Sequence, residues 1–193
     1  LTDTIIAIGA STGGTEAIKD VLIQMPPNSP GIVITQHIPE NFSASFAQRM
    51  DKLSPMKVFE ATEGQQVLPG HVYIAPGNRH LLIERSGARY ICRLNDGLAV
   101  NRHKPSVNVL FRSVANQVGQ NAIGVILTGM GDDGAEGLLE MKQAGALTIA
   151  QDEQSSVVWG MPGEAVKRNA ADDILALSKI ASRVISLSAE KAA

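Results

Sequence analysis

The 193 residues are 44% hydrophobic and 19% charged, with a formal net charge of −2. This is the profile of one soluble globular domain that buries roughly 70% of its extended surface. A near-neutral, slightly acidic chain with 4% aromatics argues against a nucleic-acid partner, which asks for a basic surface and stacking rings. The single cysteine, Cys92, cannot close an internal disulfide and suits a reducing cytosol, and neither a leader-like segment nor an apolar run of membrane-spanning length is expected.

Along the chain, short β-branched runs alternate with helical stretches. IIAIGA (5–10) predicts a buried strand, and helical spacing follows over about 13–24. The breaker cluster PPNSP (26–30) leads into a strand, GIVITQH (31–37). The helix expected over 42–53 has Phe42, Phe46, Met50 and Leu53 on one face. MKVFEA (56–61) and HVYIAP (71–76) read as strands, and HLLIERS (80–86) and ARYICRL (88–94) flank Gly87 as a hairpin. An amphipathic stretch covers 106–118. AIGVILTG (122–129) predicts a buried strand, followed by a helix to about Ala144 that Gly145 ends. LTIAQ (147–151) is a strand, Trp159 and Met161 are packing residues at a turn into a helix, and DDILAL (172–177) is a weaker strand before the terminal helix. SAEKAA (188–193) reads as a frayed tail. Together these predict an α/β fold in a single domain over 1–193. The expected architecture is a doubly wound, mostly parallel sheet with helices on both faces and an antiparallel hairpin insertion at about 80–94. Ligands of such folds sit beyond the carboxyl ends of the strands, where strand order reverses. Here that means the loops after Ala10, Gln36 and Thr128.

The first loop, Gly9-Ala10-Ser11-Thr12-Gly13-Gly14, satisfies G-x-S-x-G, a strand-to-helix turn that projects a serine hydroxyl. A helix starting near Gly13 would aim free N–H groups at the same spot, so the loop serves a pyrophosphate as readily as a nucleophile. The second loop separates the two. A dinucleotide fold wants Asp or Glu at the end of its second strand, whereas this chain has Gln36-His37. Neighbouring parallel strands would bring His37 close to Ser11, where an imidazole can take a proton; alone, it also reads as a solvent-exposed loop histidine. In the third loop, Thr128-Gly129-Met130-Gly131-Asp132-Asp133-Gly134, either aspartate could cap the following helix or accept from Nδ1–H of His37 and fix its tautomer. Spacing does not choose between Asp132 and Asp133.

Six co-linear blocks then carry a resemblance over about 4–185: IIAIGASTGGTEAI, VITQHIPENFSASFAQRM, VLPGHVYIAPGNRHL, NRHKPSVNVLFRSVA, GVILTGMGDDGAEGL and VVWGMPGEAV. The chain resembles the catalytic domain of the chemotaxis protein-glutamate methylesterase family. The resemblance implies Ser11, His37 and Asp133 as the catalytic set. It places Met130, through its backbone N–H, with Thr12 and Gly13 at the oxyanion cleft. The implied reaction is hydrolysis of γ-glutamyl methyl esters on the cytoplasmic helices of chemoreceptors, with deamidation of receptor glutamines as a related activity. It also implies cytoplasmic location, no cofactor or metal, and no membrane insertion. Members usually carry a phosphoacceptor receiver domain of a two-component phosphorelay, which this sequence does not include. Asp132 stands where some relatives have Asn, and its charge would favour the protonated form of His37. Arg102 and His103, before Pro105, are candidates for contacting an acidic receptor helix, against solvated loop charges as the plainer reading. His71, His80 and Cys92 read as structural. The rival readings are a dinucleotide-binding domain and a receptor-binding adaptor without catalysis.

Overall fold

The computed structural model describes residues 3–192. Seven strands form one parallel sheet: β1 (Ile5–Ala10), β2 (Gly31–Gln36), β3 (Lys57–Glu60), β4 (His71–Ile74), β7 (Ala122–Ile126), β8 (Leu147–Gln151) and β9 (Asp173–Leu175). The hairpin strands β5 (His80–Ser86) and β6 (Arg89–Asn95) pair antiparallel in a second, two-stranded sheet. The order of the large sheet is β3-β4-β2-β1-β7-β8-β9. The chain winds outward from β1 in one direction through β2 and in the other through β7, so the topological switch lies between β1 and β7.

The central strands are buried on both faces, which explains why they are continuous β-branched runs without polar alternation. Their period of two then divides the core. Ile6, Ile8, Ile32, Ile34, Ile123 and Val125 face one layer, formed by α1 (Gly14–Leu22), α2 (Glu40–Leu53) and α6 (Leu177–Ala192). Ile5, Ala7, Val33, Ala122 and Ile126 face the other, formed by α3 (Val107–Gln117), α4 (Ala135–Gln143), α5 (Met161–Lys167) and the inner side of the hairpin. Among the described residues no helix is long and apolar enough to cross a membrane.

Helix α3 holds the two sheets together. Its Ser113 and Gln117 side chains accept the edge amides of Ile83 and Arg85, at 2.9 and 3.0 Å. Its other side lies directly on β1. A Cβ at Gly9 would run into Val107 Cγ1 and come within 3.2 Å of Phe111 Cζ. The first glycine of G-x-S-x-G is therefore required by close helix–strand packing. The tight turn falls to Gly13, in the left-handed region at φ 80°, while Ser11 is not among the residues with positive φ.

Element edges differ from the sequence reading by one to three residues, as fraying ends do. The tail is a correction: residues 188–192 complete α6, where Ser188 Oγ donates to the Val184 carbonyl and Lys191 Nζ to the Gln120 carbonyl. The tail's composition concealed helical residues whose side chains find one acceptor within α6 and one on the distant Gln120; Ala193 lies outside the described residues.

The Gly9–Val107 contact predicts that Gly9→Ala destabilises the domain by about 1–3 kcal/mol through overpacking. Urea unfolding would check this, and an unchanged midpoint would contradict the packing account.

Candidate active site

The three loops singled out by sequence meet at the carboxyl ends of β1, β2 and β7. Register places Ala10 opposite Gln36 and Gly9 opposite Ile126. The loops are then stitched together by backbone. Ser11 N–H donates to the Thr128 carbonyl (2.9 Å) and His37 N–H to the Ala10 carbonyl (3.1 Å). The Ser11 Cβ packs against Gly129, where a side chain would come within 2.9 Å of it. Thr128 Oγ1 donates to the Thr12 carbonyl (2.9 Å) and accepts from Val158 N–H (3.0 Å), tying in the loop after β8.

His37 and Asp133 are in direct contact. Nε2 of His37 lies 2.7 Å from Oδ2 of Asp133, with the two side chains 9% and 0% exposed. The expectation that the carboxylate would take Nδ1–H is thus corrected. The Nε2 edge faces Asp133, so the neutral ring carries its proton on Nε2 and leaves Nδ1 as the basic nitrogen. Nδ1 is buried without a hydrogen-bond partner among the described residues. The half-buried Ser11, on the adjacent strand end, has a hydroxyl that likewise bonds to none of them.

Asp133 does not cap its own helix. Gly134 is the N-cap of α4, while the Asp133 carboxylate reaches across to the N-terminus of α3. It accepts from Ser106 Oγ (2.8 Å), Val107 N–H (2.7 Å) and Asn108 N–H (3.1 Å). Asn108 Oδ1 returns the arrangement by accepting from Gly134 and Gly137 N–H at 3.0 and 2.9 Å. Two helix N-termini therefore cap each other. Burial alone pushes the Asp133 carboxyl up, but hydrogen bonds from His37, Val107 and Ser106 outweigh it and hold the group below the usual carboxylate range.

Asp132 is exposed. It accepts from Asn101 Nδ2 at 3.0 Å and lies 3.7 Å from Arg168 Nη2. That separates the two aspartates spacing could not tell apart. His103 also joins the site, with its ring stacked on His37 at 3.6 Å between centroids and 7° between planes. Arg102 is exposed at the tip of the turn before it, with φ 71°. Met130 and Thr12 are exposed on the rim, and Gly13 lies beneath Val157. The amides of Thr12, Gly13 and Met130 donate to no protein acceptor among the described residues.

Sequence reasoning passed over Gln36, Ser106 and Asn108. Gln36 is buried, and its Nε2 donates to the Ser11 and His37 carbonyls at 2.9 and 3.2 Å. It occupies the position where a dinucleotide fold would place its ribose-binding acid. Its replacement of that acid was legible; its brace between the first two loops was not. Ser106 and Asn108 stood inside a quoted block, where an S-x-N before an amphipathic run signals a helix start, although for α3 the capping carboxylate comes from another loop. His80 is buried, with Nε2 2.8 Å from the Leu98 carbonyl and Nδ1 accepting from Ser106 N–H. Burial pushes the Cys92 thiol up to about 12, helped by Glu63, which leaves it no nucleophilic character.

The CheB methylesterase family model matches residues 6–184. The chain belongs to the CheB methylesterase family. A protein-glutamate methylesterase/protein-glutamine glutaminase from Xanthomonas euvesicatoria is 60% identical over 189 residues, covering 98% of this chain and 53% of that protein. Its counterpart from Hydrogenovibrio crunogenus is 61% identical over 183 residues, covering 95% and 49%. The crystal structure of the Thermotoga maritima CheB methylesterase catalytic domain superposes with a TM-score of 0.94 at 37% identity, over 97% of this chain and all of that one. The chain spans about half the length of the curated relatives it matches.

The bonding of Asp133 sets the sign of a pH effect on stability. A carboxyl with depressed folded-state pKa stabilises the protein above its unfolded value, about 3.9, and that stabilisation is lost as pH falls through the folded value. Asp133→Asn is expected to lower unfolding free energy by about 2 kcal/mol at pH 7. Its deficit against wild type should shrink below about pH 4, and chemical unfolding at both pH values measures it.

Proposed function

We propose that this chain is a serine carboxyl-ester hydrolase that demethylates γ-glutamyl methyl esters on the cytoplasmic helices of chemoreceptors, with Ser11, His37 and Asp133 as its catalytic residues. The observation that carries the reading is the buried His37–Asp133 contact of 2.7 Å, set one strand away from a serine at the switch point of a CheB-family fold.

In this mechanism the Asp133 carboxylate accepts a hydrogen bond from Nε2–H of His37 and stays ionised, and Nδ1 takes the proton of the Ser11 hydroxyl as the oxygen attacks the ester carbonyl. The tetrahedral oxyanion is received by backbone amides drawn from Thr12, Gly13 and Met130, which no acceptor among the described residues claims. His37, now an imidazolium beside a carboxylate, returns its proton to the methoxide as methanol leaves. Water then attacks the acyl-serine with Nδ1 again as base. An amide substrate follows the same path with ammonia as the leaving group. The double name of the relatives, methylesterase and glutaminase, supports deamidation as part of the reading. Control by a phosphorylated receiver domain elsewhere in the whole protein, and action in the cytoplasm, belong to the same proposal.

Gln36 favours this over dinucleotide binding. It presents no carboxylate to a ribose, and its amide is committed to the Ser11 and His37 carbonyls. Capping α3 would by itself give an adaptor a use for the buried carboxylate, but not for an imidazole held on it with the second ring nitrogen left unbonded among the described residues.

Methanol release from methylated receptor membranes tests the proposal. Ser11→Ala is expected to lower turnover by about a thousandfold or more with the fold intact; retention of most of the rate would overturn the nucleophile assignment. Asp133→Asn should cost about 10²–10⁴-fold. Asp132→Asn, which still offers Oδ1 to Asn101, should cost far less, and equal losses would undo the choice between the two aspartates.

A further inference from the structure

The imidazole stacked on His37 has no part in the scheme above. His103 reaches it from a tight two-residue turn. Val100 N–H donates to the His103 carbonyl and His103 N–H to the Val100 carbonyl, at 2.9 and 3.0 Å. Asn101 and Arg102 form the turn, both left-handed at φ 49° and 71°. Asn accepts that conformation readily, but Arg does so at a cost, so the surroundings must impose it. One imposing contact is Asn101 Nδ2 on Asp132. A second pin is His80, whose imidazole bridges the Leu98 carbonyl and Ser106 N–H on either side of the turn. The segment is thereby fixed at its tip and at both flanks, and among the described residues its one ring contact is with His37.

We propose that His103 is a positioning residue: its imidazole, face to face with His37 at 3.6 Å, holds the ring of the general base in the plane that meets Asp133 and stabilises the imidazolium formed when Ser11 gives up its proton. The inference rests on the catalytic reading of Ser11, His37 and Asp133.

Two features support it. First, among the described residues His37 has a single hydrogen bond through its ring, at Nε2, and Nδ1 has no partner. One bond leaves the ring free to swing about the Nε2 axis, and a parallel plate on its face removes that freedom. Second, His103 is suited to staying neutral. Burial and the neighbouring His37 lower its proton affinity, against a smaller upward pull from Asp133 and Asp132. The charged groups around the stack are those two aspartates, Arg102 on the turn, and Arg168, the residue that caps the end of α5, beyond Asp132. A neutral π face over a developing cation is attractive, whereas two imidazolium faces at this distance would repel.

The test compares His103→Ala with His103→Phe, which restores a flat neutral ring. Two readouts apply: kcat and KM for methanol release from methylated receptors, and the low-field NMR resonance of the His37 Nε2 proton shared with Asp133. His103→Ala should lower kcat by about tenfold, with KM nearly unchanged and the unfolding midpoint preserved. Its low-field resonance should broaden or vanish as the ring gains freedom. His103→Phe should recover most of both. If His103→Ala keeps the resonance and the turnover, or if His103→Phe fails as badly as His103→Ala, the positioning role is overturned while the catalytic set stands. Absence of the resonance in the wild-type protein would instead overturn the catalytic reading on which the inference rests, and the inference with it.

Discussion

The buried carboxylate of Asp133 is the point on which the site and one layer of the fold both depend. It satisfies the first amides of α3 and the Ser106 hydroxyl, and it holds Nε2 of His37. Two positive ends converge on one charge, the helix N-terminus and the imidazole edge, which is why an anion is tolerable at 1% exposure. Asn108, whose own N–H is one of those amides, caps α4, the helix that follows Asp133. Neither helix can shift without uncapping the other, so the carboxylate's position relative to β2 is set by helix packing and not by its own loop. The glycines match this arrangement. Gly9 and Gly137 leave no room for a Cβ against Val107, Phe111 and Asn108, and that close approach brings the α3 N-terminus to the sheet rim.

The large-scale fold was legible because its signals are local and redundant. Continuous β-branched runs, breaker clusters and the Gly87 hairpin each announce an element, and their alternation forces a parallel sheet. Ser11 and His37 were legible as a pair because adjacent parallel strands must bring their ends together, which the Ala10–Gln36 register does. What was hidden is whatever depends on a side chain crossing between loops. The Asp132/Asp133 choice, which spacing left open and only the resemblance made, is of this kind, as are the nitrogen of His37 that meets the carboxylate and the cap of α3. Ser106 is an instructive case. As a serine before an amphipathic run it reads as a self-capping residue, but its hydroxyl is turned to Asp133 instead. Tertiary bonding to a charged acceptor is stronger than a neutral local cap, so it wins.

Orientation of the imidazole has a chemical consequence. With Nε2 committed to Asp133, the basic nitrogen is Nδ1, nearer the backbone of the ring's own residue. That backbone is fixed twice, by His37 N–H on the Ala10 carbonyl and by Gln36 Nε2 on the His37 carbonyl. The same Gln36 amide holds the Ser11 carbonyl. One buried side chain thus sets the spacing between the peptide units that carry Ser11 and His37. This is a more rigid linkage than side-chain contact between the two would be, since it acts through backbone groups with no rotamer freedom of their own.

The rim above these fixed groups has the opposite character. Met130 is 64% and Val157 71% exposed, and Val157 sits directly over the left-handed Gly13, where any other residue would meet it. On the proposed reading, apolar side chains at an open rim would suit the methylene stem and methyl group of a glutamyl ester, with its carbonyl directed at amides that no acceptor among the described residues claims. Such a division has a physical basis. Groups that must meet a developing charge gain from being immobile and dry, because no reorganisation is then needed during the reaction. The buried capping network confines rigidity to the groups beneath the rim, and on the proposed reading leaves substrate recognition to the exposed loop residues above them.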